Sequence, residues 1–382
     1  MIYLDNNATT AIDPAVLQAI TDCFHSGPMN ASSQHASGRL ARNRLDEAIS
    51  LIGGLLNADV DSPGGDQLVL TSGGSESNNL ALSGIGDPSL PLVVSAIEHP
   101  SVLAVASSMQ AAGREVRVIP AQSSGVIDVD AARSLIETLP YPGLVSVMMA
   151  NNETGVIQPT GSIAEICRRL GIPFHTDATQ TIGKLAFDFI RCGAAAVSFT
   201  AHKFHGPAGI GGLLVRSGIA LRPLLLGGEQ QLGKRPGTEP LALVVGLAKA
   251  LQVAMRERET VAVRLRELRD GIEAQLRLAV EETIIFGKGA ERLPGTSCFS
   301  LPGVDRQTML MALDMAGVAC STGSACASGS SRPSHVLAAM GVTEQHIDSA
   351  LRLGLSKFST AGEAQQAADT ICLQHQRLRR IQ

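Results

Sequence analysis

The chain has no tryptophan, two tyrosines in 382 residues, and only 17% charged side chains. It has no charge surplus of one sign to speak of: a net charge of −4 leaves no basic footprint, which excludes a direct nucleic-acid partner. No window reaches the ~18 uncharged apolar residues needed to span a bilayer, and the start, MIYLDNNATT, has neither a basic nor an apolar leader region, so a cytoplasmic protein with no membrane contact is expected. The seven cysteines are odd in number, scattered, and never spaced CxxC, which argues for reduced thiols rather than a disulfide framework or a structural zinc site. No metal is expected. Internal repeats and low-complexity tails are also missing, while 39 glycines and 45% apolar residues fit a loop-rich α/β protein.

What is present is a rhythm. From about residue 65 to 220, apolar strand-like runs (DQLVLTSGG, LPLVVSAIEHP, EVRVIPA, GLVSVMMANNETG, IPFHTDATQ, AAAVSFTAHK, GIGGLLVR) alternate with helical patterns such as GSIAEICRRLG. That is the βαβ order of a mostly parallel sheet, in which ligands collect at the carboxyl ends of the strands. Here those ends carry the polar clusters SGGSESNN, EHPS, NNETG, DATQ and TAHK. Residues 240 to 282 read as one long, highly charged helix with a solvated face. The last hundred or so residues mix strand and helix patterns and predict a smaller α+β domain. Within it, GVACSTGSACASGSS (317–331) is nearly free of large apolar residues and predicts a loop, yet it holds two thiols, Cys320 and Cys326.

Three segments suggest chemistry, though each has a plainer reading. Lys203, between two histidines at a strand end, reads as an exposed loop lysine or as a desolvated amine able to form a Schiff base. Asp177, 26 residues earlier, is a turn residue or the carboxylate that keeps a pyridine nitrogen protonated. In TSGGSESNN a strand ends in a glycine turn and a helix begins, so Ser75 is a simple cap or part of an anion cradle.

Together these are the parts of one pyridoxal phosphate (PLP) site. The chain resembles the cysteine desulfurases of the NifS/IscS type, within the class V aminotransferases, over nearly its whole length: YLDNNATT, TSGGSESNN, EHPSVL, NNETGVIQP, HTDATQTIGK, AHKFHGPAGIG, RPGTEP, GSACASGS and SALRLGLS occur in the family's order. The resemblance implies an α/β, aspartate-aminotransferase-like (fold type I) enzyme. Its large PLP domain would span 14–257, and its small domain 1–13 with 258–382, carrying a mobile loop at about 318–332. It implies Lys203 as the lysine bound to PLP, Asp177 as the partner of the pyridine nitrogen, His99 stacked on the ring, and Asn152 and Gln180 at its oxygen. Gly74, Ser75, Thr200 and His202 would hold the phosphate, with Thr238 reaching the phosphate of a neighbouring subunit in a homodimer. Arg352 would clamp the substrate carboxylate, with Asn30 and Asn7 nearby.

The loop motif S-S-G-S-A-C reads STGSAC here, making Cys326 the implied nucleophile and Cys320 a buried or merely tolerated thiol. The implied reaction is L-cysteine plus enzyme thiol giving L-alanine plus enzyme persulfide, with the Lys203 amine and His99 handling the Cα proton. The persulfide sulfur would go to an acceptor protein, an iron–sulfur scaffold or a thiolation enzyme. A selenocysteine lyase and a non-catalytic scaffold of a sulfur pathway are the alternatives. Departures from the pattern are small: GGS where Thr commonly follows a small residue, Thr200 for a common Ser, and Lys357 where Arg is frequent.

Overall fold

The structure, a computed structural model, describes residues 1–323 and 333–380. In chain order it builds β1 (Ile2–Tyr3), α1 (Pro14–His25), α2 (Ala36–Leu56), β2 (Gln67–Thr71), α3 (Gly74–Gly84), β3 (Leu92–Ser95), α4 (Pro100–Ala111), β4 (Val116–Ile119), α5 (Val129–Glu137), β5 (Leu144–Ser146), α6 (Thr160–Leu170), β6 (Phe174–Asp177), α7 (Phe189–Cys192), β7 (Ala196–Thr200) and β8 (Gly211–Val215). The 39-residue α8 (Leu241–Ala279) follows, then β9 (Ile284–Ile285), β10 (Thr296–Ser300), α9 (Arg306–Met315), β11 (Val318–Ala319), α10 (His335–Ala339), α11 (Glu344–Ile347), β12 (Ala350–Gly354) and α12 (Ala361–Arg379).

The large sheet has the order β2-β8-β7-β6-β5-β3-β4, and only β8 runs antiparallel to its neighbours. Helices cover both faces of the sheet, and β3, β5, β6, β7 and β8 are buried at every residue, the polar ones included. Gly212 belongs to this packing, since a Cβ there would lie 2.6 Å from the Phe199 ring. The main core gathers Val93, Val145, Phe174, Val197 and Phe199 of the sheet with Ile52 of α2 and Leu247 of α8.

A second core has Phe299, Leu351 and Leu353 of the three-stranded antiparallel sheet β12-β10-β9, packed with Ile371 of α12 and Leu313 of α9. Ile2 and Leu4 join this second core, because β1 pairs in parallel with β11. The helix α8 serves both: Leu247 and Leu251 pack in the first core, Leu265, Ile272 and Leu276 in the second. No helix among the described residues is long and apolar enough to cross a membrane.

One expectation is corrected. The predicted loop was to open at Gly317 or Val318, but Val318 and Ala319 form β11 and Ser321 bridges to Arg352. Val318 is buried in the second core, and pairing with Ile2 and Tyr3 of β1 is what makes these two residues strand.

Candidate active site

Five of the parallel strands, β2, β3, β5, β6 and β7, end at one cleft of about 1090 Å³. Because the strands are in register, residues far apart in sequence arrive on the same rim: Gly73, Gly74 and Ser75 after β2, His99 after β3, Asn152 and Glu153 after β5, Asp177 and Gln180 at the end of β6, and Thr200, His202 and Lys203 after β7. The small-domain strand β12 supplies Arg352, and Gly323, Pro333 and His335 close the same rim.

Asp177 is buried as the last residue of β6, and its two oxygens are held differently. Oδ1 accepts from the Thr179 amide (2.9 Å), and Oδ2 accepts from Asn78 Nδ2 (2.8 Å). Asn78 Nδ2 also donates to Ser101 Oγ (2.9 Å), which lies 2.8 Å from His99 Nδ1. The Ser101 backbone N–H donates to that same Nδ1 (3.1 Å) as His99 caps α4, so in the neutral ring the proton sits on Nε2. Burial pushes the His99 pKa down despite the opposing pull of Asp177, which keeps the ring neutral at pH 7.

Lys203 ends the short 3-10 turn Ala201–Lys203 that stops β7, and its Nζ donates to the Asn7 and Ala8 carbonyls at 2.6 and 2.7 Å. This brings YLDNNATT to the lysine from the other end of the sequence. Gln180 Nε2 donates to the same Asn7 carbonyl (3.0 Å), and Asn7 Nδ2 donates to the Asn152 carbonyl (3.1 Å).

The amino end of α3 has no side-chain cap, and its first-turn amides have no partner within the helix. Gly73 sits at φ +154°, and a Cβ on Gly74 would come within 2.9 Å of Thr179 Oγ1, so a side chain there would fill the cradle. Thr200 and His202 lie beside it, and burial takes the His202 imidazole down to about 4. Arg352 is 2% exposed. Its Nη2 donates to Asp5 Oδ1 (2.6 Å), and its Nη1 donates to the Asn152 and Gly323 carbonyls (3.2 and 3.3 Å).

Among the described residues, Asn78 Oδ1, Thr179 Oγ1 and Arg352 Nε are buried polar atoms without a protein partner, and all three residues line this cleft. Buried polar atoms are rarely left unpaired, so their concentration at one rim marks a place built for a polar ligand. An aromatic phosphate ester with a ring nitrogen and a ring oxygen fits this donor set: uncapped amides at one end, a buried carboxylate in the middle, amide side chains and a lysine around it.

One expected residue is elsewhere: Asn30 is exposed between α1 and α2, its Oδ1 accepting from the Ser32 amide (2.9 Å). Thr238, expected at a neighbouring subunit's phosphate, is exposed and outside this cleft's lining. Cys326 lies outside the described residues. Cys320 is partly buried against the second core, and burial pushes its thiol up to about 12, which suits an inert thiol. Sequence reasoning missed Asn78, Asp5 and His335. Asn78 stood inside the quoted SGGSESNN cluster and Asp5 inside YLDNNATT, but nothing local paired them with Asp177 and Arg352.

Residues 2–366 match the family model for aminotransferase class-V. A cysteine desulfurase of Cereibacter sphaeroides is 38% identical over 374 residues, 97% of this chain and 94% of that protein. An X-ray structure of a NifS-like protein from Rickettsia africae superposes with a TM-score of 0.87 at 29% identity, over 97% of this chain and 98% of the other. SspA in complex with cysteine superposes with a TM-score of 0.81 at 29% identity, over 94% and 100% of the two chains.

Proposed function

The chain belongs to the class-V aminotransferase family, and on that premise we propose how its residues divide the work of a PLP-dependent cysteine desulfurase, the activity its relatives carry by name. The observation that supports the reading best is the meeting of Lys203, Asp177 and Arg352 on one cleft whose rim holds unpaired buried polar atoms.

Lys203 would hold the cofactor aldehyde, Asp177 the pyridine nitrogen, Asn152 and Gln180 the ring oxygen, and Gly74, Ser75, Thr200 and His202 the phosphate. When bound, PLP supplies an electron sink for charge released at the substrate Cα. Arg352 receives the carboxylate of L-cysteine, and Asn7 fixes the Lys203 side of the pocket. Lys203 Nζ takes the Cα proton. The expectation that His99 shares this task changes with its tautomer: with Nδ1 engaged by Ser101, the ring offers an N–H at Nε2 and acts as a stacked donor.

Cys326 takes the sulfur as a thiolate: an S–S bond forms as the substrate Cβ–S bond breaks, leaving L-alanine and the enzyme persulfide. The persulfide then passes its sulfur to an acceptor protein, an iron–sulfur scaffold or a thiolation enzyme.

The working species is a homodimer in which Thr238 of each subunit completes the phosphate site of the other. Its exposure, together with that of Leu226 and Leu232 on the same stretch, supports this. The described cysteines are all free thiols, in keeping with the cytoplasm.

The test is mass spectrometry of the PLP-loaded enzyme after brief exposure to L-cysteine. The added 32 Da sulfur should lie on the peptide bearing Cys326 and vanish in Cys326→Ser, with PLP still bound. Sulfur on Cys320 with turnover preserved in Cys326→Ser would put the nucleophile at the wrong residue.

A further inference from the structure

Behind the cleft floor a chain of hydrogen bonds ties Lys184, which the reaction as described does not use, to three residues that it does. Lys184 Nζ donates to Gln180 Oε1 (2.8 Å), and Gln180 Nε2 donates to the Asn7 carbonyl (3.0 Å), the same carbonyl that receives Lys203 Nζ (2.6 Å). Gln180 is buried, and its carboxamide has two possible orientations that differ only in which end is oxygen. Only one satisfies both neighbours. The other would set the amide N–H2 against an ammonium and the amide oxygen against a carbonyl oxygen.

The local backbone is arranged for this contact. Lys184 sits on the turn after β6, its N–H donating to the Thr181 carbonyl (2.9 Å). Gly183 precedes it at φ +81°, where a Cβ would lie 2.6 Å from that of Phe204. The absence of a side chain there lets the turn lie flat against the residue that follows Lys203.

We propose that Lys184 is a positioning residue that pins the Gln180 carboxamide with its N–H2 toward the cleft, so that Gln180 meets the cofactor's ring oxygen only as a donor. The proposal rests on the reading of the cleft as the PLP site. A ring oxygen that carries negative charge is stabilised by an N–H and repelled by an amide oxygen, so the orientation decides the sign of the contact.

Other charges surround Lys184. Lys203 and His202 approach from the turn after β7, and Arg352 from β12. Asp13 before α1, Glu257 of α8 and Lys357 share with Lys184 the wall of a cavity of about 60 Å³. Burial, with Lys203 and Arg352 adding to it, pushes the Lys184 amine down to about 7.

The experiment is an absorbance titration of the PLP-loaded enzyme against pH, with PLP affinity measured by reloading of the apoenzyme. In Lys184→Met the amide is released and a nearby positive charge is lost. Both changes make the lysine–cofactor linkage more basic, so its titration midpoint should rise by about one unit and PLP should bind roughly tenfold more weakly. Lys184→Arg, which keeps a donor and a charge, should stay near the wild type.

Gln180→Glu keeps a partner for Lys184 but has no N–H to offer, and it should reproduce both effects, which covers the case of Lys184→Met failing to fold. A Lys184→Met or Gln180→Glu enzyme that titrates and reloads like the wild type overturns the proposal, as does Lys184→Arg shifting as far as Lys184→Met. Borohydride reduction of the wild type should fix PLP on Lys203. Failure of that control would instead overturn the cofactor-site reading, and the proposal with it.

Discussion

Replacing Arg352 by Gln separates substrate recognition from the rest of the site. The guanidinium is already occupied on one side by Asp5 and by the carbonyls of Asn152 and Gly323, while Nε is buried and unpaired. A substrate carboxylate therefore meets a fork whose plane is set in advance, which is the condition for a strong bidentate contact. Two charge-assisted hydrogen bonds contribute about 1.5–3 kcal/mol each. Taking the lower end, because the carboxylate must shed water to enter, gives about 3 kcal/mol, or roughly 150-fold in kcat/KM.

Cysteamine, which is cysteine without its carboxylate, serves as the comparison. The wild type should prefer cysteine by roughly that factor, and Arg352→Gln should bring the ratio near one while PLP absorbance stays intact. The stability effect is separate. Loss of the guanidinium leaves Asp5 and two carbonyls without their partner, but Asp5 is 20% exposed and can rehydrate. The cost then falls toward the low end for breaking a buried pair, about 3 kcal/mol. Asp5→Asn combined with Arg352→Gln should recover part of the melting temperature and none of the preference. A single variant that keeps the wild-type ratio, or a double variant that restores it, would refute the assignment of Arg352 to the substrate.

Two further expectations follow. Light scattering of the active enzyme at assay concentration should give twice the chain mass, and Thr238→Ala should weaken PLP retention without removing the lysine linkage; an active monomer would contradict the shared site. Glu98 is fully buried behind the cleft, its Oε1 accepting from the Met148 amide (2.8 Å) and bonded to Ser95 Oγ (2.5 Å), and burial raises its carboxyl to about 8. The folded protein thus holds a proton there that the unfolded chain releases above about 4.5. Stability from this group is complete below that pH and falls as pH rises toward 8, by roughly 5 kcal/mol in all. Glu98→Gln, neutral at every pH, should flatten the decline of melting temperature between pH 5 and 8.5 at fixed PLP saturation, and an unchanged slope would show that the carboxyl is ionised in the fold.

The site was legible where chemistry coincides with the end of a strand. Lys203, Asp177, His99, Ser75 and Asn152 each stand just past an apolar run, and in-register parallel strands must bring such positions to one edge. The sheet itself was readable for the same reason, as was α8, whose charge spacing outlines a helix even though its two halves belong to different cores.

What the sequence could not disclose is pairing across distance. Asp5 and Arg352 are 347 positions apart, and Asn78 and Asp177 are 99, with no periodicity linking either pair. The extent of strand at 318–319 was hidden too, because a two-residue strand has no period of its own and exists only through its partner β1. These hidden contacts share a character: each supports a residue whose motif was visible. Asn78 holds Asp177, Asp5 holds Arg352, and Lys184 holds Gln180. Motif spacing reports the polar groups that stand at strand ends, where the ligands of a parallel sheet collect. The residues that orient them can come from any element the fold brings near, and only the folded geometry identifies them.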